Sequence, residues 1–321
     1  MQNSLQAVFL DHASLDRGDL DITPLQQAFQ RLDLYPQSSP AQVITRLQGA
    51  QVAISNKVVV DEAIMAACPQ LRLILLAATG SNNVDLAAAR ARGITVCNCQ
   101  GYGTASVAQH SLMLLLALAA RLPDYQRAVA DGAWQRAEQF CLLDYPMVEL
   151  AGKTLGILGY GELGQAMARL AEALGMRVLL GQLPGRPASP RHLPLERLLP
   201  QVDALSLHCP LTAQTRHLLG AAELARLKPG ALLINTARGG LIDEQALADV
   251  LRRGHLGGAA CDVLSEEPPR QGNPLLAGDI PRLIITPHNA WGSREARQRI
   301  VTQLQENALA WQQGQPCRLI N

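Results

Sequence analysis

Residues 155–164 read LGILGYGELG, and this stretch restricts the fold more than any other. Gly159, Gly161 and Gly164 form the pattern GxGxxG directly after an apolar run and at the start of a helical one. Each glycine has a physical reason there. The first allows a tight turn, the second lets backbone approach a pyrophosphate, and the third permits close helix–sheet packing. Amides at the N-terminus of the following helix, which begins around Glu162 and Leu163, would face the phosphate charge. Such a loop requires a strand–helix–strand unit around it, and therefore a parallel sheet with helices on its faces.

The rest of the chain has the matching periodicity. Short Val/Ile/Leu-rich runs at 7–10, 52–55, 71–76 and 94–97 are expected strands, with helices near 24–32, 61–68 and 85–92 between them. A second series of strands is expected at 154–158, 177–180, 204–207, 231–235, 258–262 and 283–286. Between the series lies one long apolar helix, 101–120, and then a polar segment, 121–149, that contains Trp134, Phe140 and Tyr145. An amphipathic helix at 292–313 closes the chain. The expected class is α/β, with two doubly wound parallel-sheet domains. One would comprise 1–100 plus 290–321. The other would comprise 101–289, including the linker helix and the segment 121–149.

Composition excludes several functions. A net charge of +1 over 321 residues, with no dense Lys/Arg tract, gives nucleic acid no electrostatic foothold. The most apolar run, 112–120, is about half of the roughly 20 residues that a membrane span needs. The N-terminus MQNSLQAVFLDH lacks the pattern of a signal peptide. The seven cysteines are scattered, and none has zinc-ligand spacing. These features point to a cytoplasmic protein with free thiols, no metal, no membrane and no nucleic-acid partner.

The dinucleotide implied by the glycine loop can be narrowed. An acid usually follows the second strand of such a unit and holds the ribose hydroxyls of NAD; here the position is Gln182, with Arg186 and Arg191 downstream. Glutamine does not repel a 2′-phosphate and arginine can bind one, so NADP(H) is favoured over NAD(H). Ligands on open parallel sheets bind beyond the carboxyl ends of the strands. Three of the later strands end in Arg238, in Glu266 and Glu267, and in His288 of Thr-Pro-His-Asn-Ala-Trp. A guanidinium can grip a 2-oxo acid, and an imidazolium can protonate the alkoxide formed by hydride transfer. A carboxylate beside the imidazole fixes its tautomer and favours its charged form. Taken singly, Arg238 fits a surface charge, the glutamates a helix start and His288 a packed loop; together at one edge they point to catalysis.

The motifs LGILGYGELG, LHCPLTAQTRHLL (207–219), LINTARGGLIDEQAL (233–247), AACDVLSEEPP (259–269) and TPHNAW (286–291) resemble the D-isomer-specific 2-hydroxyacid dehydrogenase family. The likeness covers essentially the whole chain, and FCLLDYPMVELAGKTLGI (140–157) points to the glycerate dehydrogenase (hydroxypyruvate reductase) group within it. The resemblance implies that Arg238 binds substrate, Glu267 orients, and His288 is the acid/base. It places Asp262 at the nicotinamide carboxamide and Val107 packing beside the ring. Thr236 and Ala237 would line the cofactor, as would Cys209, Pro210 and Thr215 in the 207–219 segment. The backbone of Thr79, Gly80 and Ser81 would hold the substrate carboxylate, with Trp291 an aromatic neighbour of the pocket. It further implies a flavodoxin-like, discontinuous substrate domain beside the Rossmann domain, and a homodimer built partly by 121–149. Two departures stand out: Gln182 replaces the acid typical of NAD-dependent members, and Gln109 stands where many members have Glu. The expected reaction is NAD(P)H-dependent reduction of hydroxypyruvate to D-glycerate, with glyoxylate as second substrate. Alternatives are another 2-oxo acid, such as phosphohydroxypyruvate or pyruvate, or a dinucleotide-sensing binding protein. No appended regulatory domain is expected after the closing helix.

Overall fold

The computed structural model describes residues 5–187 and 189–321. The chain forms two compact units, Met1–Gly103 with Gly292–Asn321, and Thr104–Trp291.

In the first unit the elements run β1 (Gln6–Phe9), α1 (Thr23–Gln27), β2 (Arg31–Leu34), α2 (Pro40–Leu47), β3 (Val52–Ser55), α3 (Glu62–Ala67), β4 (Leu73–Leu76), α4 (Leu86–Ala91) and β5 (Thr95–Cys97). The five strands are parallel in the order β2-β1-β3-β4-β5, a doubly wound arrangement of the flavodoxin type. Every residue of β3 and β4 is buried, which is why these segments read as unbroken apolar runs rather than alternating ones. Helix starts are fixed locally: the Asp61 carboxylate accepts from Ile64 N–H and Asp85 from Ala88 N–H, satisfying amides that a helix leaves unpaired. The sequence reading of 24–32 as one helix is corrected here. The helix stops at Gln27, and Arg31–Leu34 becomes the edge strand beside β1. Its Arg-Leu-Asp-Leu alternation is a period-two pattern too short to stand out next to a helix.

The second unit contains α5 (Thr104–Ala119), α6 (Leu122–Ala130), β6 (Thr154–Leu158), α7 (Glu162–Ala173), β7 (Arg177–Gly181), β8 (His192–Leu193), α8 (Leu195–Leu198), β9 (Ala204–Leu207), α9 (Ala221–Arg226), β10 (Leu232–Asn235), α10 (Glu244–Arg252), β11 (Gly258–Cys261) and β12 (Leu283–Ile285). Its seven parallel strands are ordered β12-β11-β10-β9-β6-β7-β8. The strand order therefore reverses between β6 and β9, the position where such sheets open a ligand crevice. One core lies under α8, α9 and α10, built around Leu205, Leu233, Leu247 and Leu251. A second lies under α5 and α7, around Leu115, Ile157, Met167 and Ile234. The segment 121–149 is not wholly irregular, because Leu122–Ala130 is helical with a proline in its first turn. The two-residue β8 escapes sequence reading because Pro184, Gly185 and Pro187 dominate the stretch before it.

The last helix, α11 (Arg294–Gln312), belongs to the first unit. Ser293 caps it by accepting from Ala296 N–H. Buried Asn307 donates to Asn98 O at 2.9 Å, and beyond the helix Ile320 N–H reaches Val96 O at 3.0 Å. No single helix among the described residues is long and apolar enough to cross a membrane.

Candidate active site

The glycine loop bridges the end of β6 and the start of α7. Gly159 has φ +98°, and a Cβ there would meet the backbone of His208 at 2.6 Å. A Cβ on Gly164 would come within 2.0 Å of Gly159 O. Turn geometry and packing therefore demand these two glycines. Gly161 differs, since a Cβ there would meet nothing within 4 Å. Protein packing gives no reason for glycine at 161, whereas a pyrophosphate against its backbone does. The loop thus fits a dinucleotide. Glu162 and Leu163 supply amides at the start of α7, while the Glu162 carboxylate accepts from Thr104 Oγ1 at 2.6 Å.

Across the crevice, β9 is followed by His208 and Cys209. His208 Nε2 lies 2.8 Å from Ser206 Oγ, and Nδ1 is buried with no hydrogen-bond partner among the described residues. Burial pushes the His208 imidazole down to about 4 and the Cys209 thiol up to about 11. Both are uncharged at neutral pH. Thr215 Oγ1 donates to Pro210 O at 2.8 Å and accepts from Thr212 N–H at 2.7 Å, closing the loop after Cys209. Gln182 follows β7. Its Nε2 donates to the carbonyls of Leu183, Arg186 and Pro187 at 3.2, 3.0 and 3.2 Å. The Gln182 side chain therefore shapes the loop that carries exposed Arg186. Arg191 sits 6.0 Å from the centroid of the Tyr160 ring, beside the glycine loop.

Three adjacent strands, β10, β11 and β12, deliver the candidate catalytic groups to the same edge. Arg238 follows β10. Its side chain is exposed, with Nη1 2.7 Å from Ala237 O, and Asn235 Nδ2 anchors its backbone through Arg238 O at 2.9 Å. Glu267 follows β11, its Oε1 fixed by Leu264 N–H at 2.9 Å and its Oε2 2.5 Å from His288 Nδ1. The two side chains are 33% and 32% exposed, so the pair is ordered yet open to a ligand. The structure joins Glu267 and His288 in direct contact, whereas Arg238 shares their edge through the neighbouring strand.

Asp262 lies just past β11 and is 1% exposed. Its Oδ1 accepts from Thr286 Oγ1 at 2.6 Å and Asn289 N–H at 3.0 Å, and its Oδ2 from Ala290 N–H at 2.9 Å. Its carbonyl accepts from His288 N–H at 2.7 Å. The resemblance assigns this residue to the cofactor, but its carboxylate already organises the turn that carries His288. Trp291 does similar work, with Nε1 donating to His288 O at 3.0 Å. Thr79 belongs to the first unit, where its Oγ1 donates to Cys99 O and its carbonyl accepts from Asn98 Nδ2, both at 2.8 Å; Gly80 and Ser81 follow it.

Sequence reasoning misses three polar residues of α5. Ser106 Oγ donates to Ala290 O at 2.7 Å, His110 Nε2 is 3.1 Å from Thr286 Oγ1, and Ser111 Oγ is 2.7 Å from Thr236 Oγ1. Val107, on the same helix, is 8% exposed and Ala237 is 7% exposed. The available signal is the four-residue spacing of Ser106 and His110, which puts two polar groups on one side of a mostly apolar helix. Among the described residues, no group of three or more His, Cys, Asp or Glu side chains could hold a metal ion.

Comparison with known proteins bears on the whole chain. The model of the D-isomer specific 2-hydroxyacid dehydrogenase NAD binding domain matches residues 112–290. Glycerate dehydrogenase of Methylorubrum extorquens is 44% identical over 308 residues, covering 95% of this chain and 97% of that protein. Hydroxypyruvate reductase of Blautia hydrogenotrophica is 37% identical over 324 residues, covering 99% of this chain and all (100%) of that one. Among solved structures, the TT0316 protein of Thermus thermophilus superposes with a TM-score of 0.85 at 36% identity, covering 99% of this chain and 100% of the other.

Proposed function

The chain belongs to the D-isomer-specific 2-hydroxyacid dehydrogenase family, and on that premise we propose that it reduces hydroxypyruvate to D-glycerate, with glyoxylate as second substrate. The observation that carries the reading is the 2.5 Å contact between His288 Nδ1 and Glu267 Oε2 at the sheet edge that also bears Arg238. Two relatives that match this chain almost end to end, named glycerate dehydrogenase and hydroxypyruvate reductase, support the choice of substrate.

In this reading Arg238 grips the carboxylate and carbonyl oxygens of the 2-oxo acid in its planar fork and polarises the carbonyl. When bound, the dihydronicotinamide supplies the hydride to C2. His288 gives a proton to the resulting alkoxide through Nε2, the ring nitrogen that does not face Glu267. Glu267 orients the ring and offsets the imidazolium charge before transfer. In the opposite direction His288 accepts the hydroxyl proton.

The cofactor reading is NADP(H) in preference to NAD(H). Gln182 stands where a carboxylate would repel a 2′-phosphate, and its amide holds the loop that presents Arg186. We also read the chain as a cytoplasmic homodimer. Phe140 and Leu143 are 89% and 73% exposed, with Trp134 and Met147 nearby in the same segment. Such a run of large apolar side chains suits burial against a second copy.

Initial rates of NADPH and NADH oxidation with hydroxypyruvate, glyoxylate and pyruvate test the proposal. Fastest turnover is expected with NADPH and hydroxypyruvate. An NADH preference would discard the Gln182 argument, and dinucleotide binding without turnover of any acceptor would discard the reductase.

A further inference from the structure

His110 lies on α5, far in sequence from the sheet edge it reaches. Its Nε2 is 3.1 Å from Thr286 Oγ1 and 3.6 Å from Asp262 Oδ1. Thr286 Oγ1 has one proton, and it is given to the Asp262 carboxylate at 2.6 Å. At the hydroxyl oxygen His110 must therefore be the donor, which fixes its ring with a proton on Nε2. The result is a directed relay from imidazole N–H to hydroxyl to carboxylate.

The carboxylate at the end of that relay is committed on its other sides to Asn289 N–H and Ala290 N–H. Asp262 O also holds His288 N–H. One residue thus binds the backbone at three successive positions, 288, 289 and 290. His288 itself has φ +52°, a left-handed conformation that a non-glycine residue keeps only when its surroundings impose it. Ser106 secures the next carbonyl, Ala290 O, from one helical turn before His110. The helix and the turn are therefore joined at two points, and of these the His110 contact is the one that reaches the carboxylate.

We propose that His110 is a positioning residue for the reaction, fixing the Asp262 carboxylate through Thr286 and thereby the aim of the His288 ring. The inference rests on the reading of His288 as proton donor. His110→Phe keeps a planar ring, somewhat larger than imidazole, and loses the N–H, whereas His110→Gln restores an amide N–H near the place of Nε2. Thr286→Val breaks the relay one link further on at nearly constant volume.

The test uses the full-length protein with NADPH and hydroxypyruvate. His110→Phe and Thr286→Val should each lower kcat by about 10- to 100-fold, the scale of a small misplacement of a reacting group. NADPH affinity, read by fluorescence titration, should change by less than about twofold. His110→Gln should recover most of the lost kcat, a rescue that a packing role would not give. Combined with His288→Ala, His110→Phe should add almost nothing, because both act through one ring. Full activity in His110→Phe and Thr286→Val, no rescue by His110→Gln, or multiplicative losses with His288→Ala would each overturn the assignment. Absence of turnover in the unaltered protein would overturn the underlying reading instead, so the two failures are distinguishable.

Discussion

His288 adopts a backbone conformation, φ +52°, that costs an ordinary residue about 1 kcal/mol or more. The offset is local: its N–H and C=O are both taken, by Asp262 O at 2.7 Å and Trp291 Nε1 at 3.0 Å. A ring proposed as the proton donor and held this way does not depend on side-chain contacts alone for its direction. Arg238 is arranged differently, with an exposed side chain and an anchored backbone, as suits the substrate grip proposed for it. Arg238→Lys therefore removes the planar fork while keeping the charge. It should lower kcat/KM for hydroxypyruvate by about 100-fold or more, corresponding to loss of a bidentate charged contact worth roughly 3 kcal/mol, with NADPH affinity retained. Steady-state kinetics beside a fluorescence titration checks this, and an unchanged kcat/KM would remove Arg238 from the substrate. At this scale, strand ends are readable, so Arg238, Glu267 and His288 can be placed on one edge from the sequence. The partnership of His110 with Thr286 and Asp262 cannot, because nothing in local spacing says which groups so far apart in the chain will meet.

At the level of elements, the glycine loop separates two demands that a sequence motif merges. Gly164 is required by packing against Gly159 O, whereas Gly161 faces open space. Gly164→Ala should destabilise the protein by about 1–3 kcal/mol, as overpacking does. Gly161→Ala should leave stability nearly unchanged and weaken NADPH binding by about tenfold or more, because its methyl occupies space that a pyrophosphate needs. Chemical denaturation and dinucleotide titration of both variants separate these effects; an unchanged NADPH affinity in Gly161→Ala would show that the open space at 161 has no ligand role. Buried parallel strands such as Val52–Ser55 and Leu73–Leu76 are legible because both faces are covered and the apolar run is continuous. The edge strands Arg31–Leu34 and His192–Leu193 are hidden because one side has no neighbour and their composition stays mixed.

For the whole molecule, acid sensitivity follows from His208. Burial holds its imidazole down to about 4, below the ordinary value near 6.5. Between those values the unfolded chain binds the proton more readily, so stability is complete above about pH 6.5 and declines as the pH falls toward 4. The loss attributable to this one group reaches about 3 kcal/mol at most. Asp19 does not confuse that window, since its contact with Arg297 holds its carboxyl at about 2. Urea denaturation at pH 7, 5.5 and 4.5 should show a shallower decline in His208→Gln than in the unaltered protein. Identical slopes would mean that the imidazole relaxes into water on protonation. The two-sheet α/β architecture is legible because strand–helix alternation runs through almost the whole sequence. What covers the apolar run around Phe140 and Leu143 is not, because an exposed apolar patch is encoded in the same residues as a buried one.

His288 carries the central step of the proposed chemistry. The direct measurement is single-turnover oxidation of enzyme-bound NADPH after mixing with hydroxypyruvate, in the unaltered protein and in His288→Ala. A fall of about 10²- to 10⁴-fold in that rate, with NADPH binding intact, is what a lost proton donor predicts. An undiminished rate would contradict the assignment of the proton to His288, and with it the mechanism proposed for this edge.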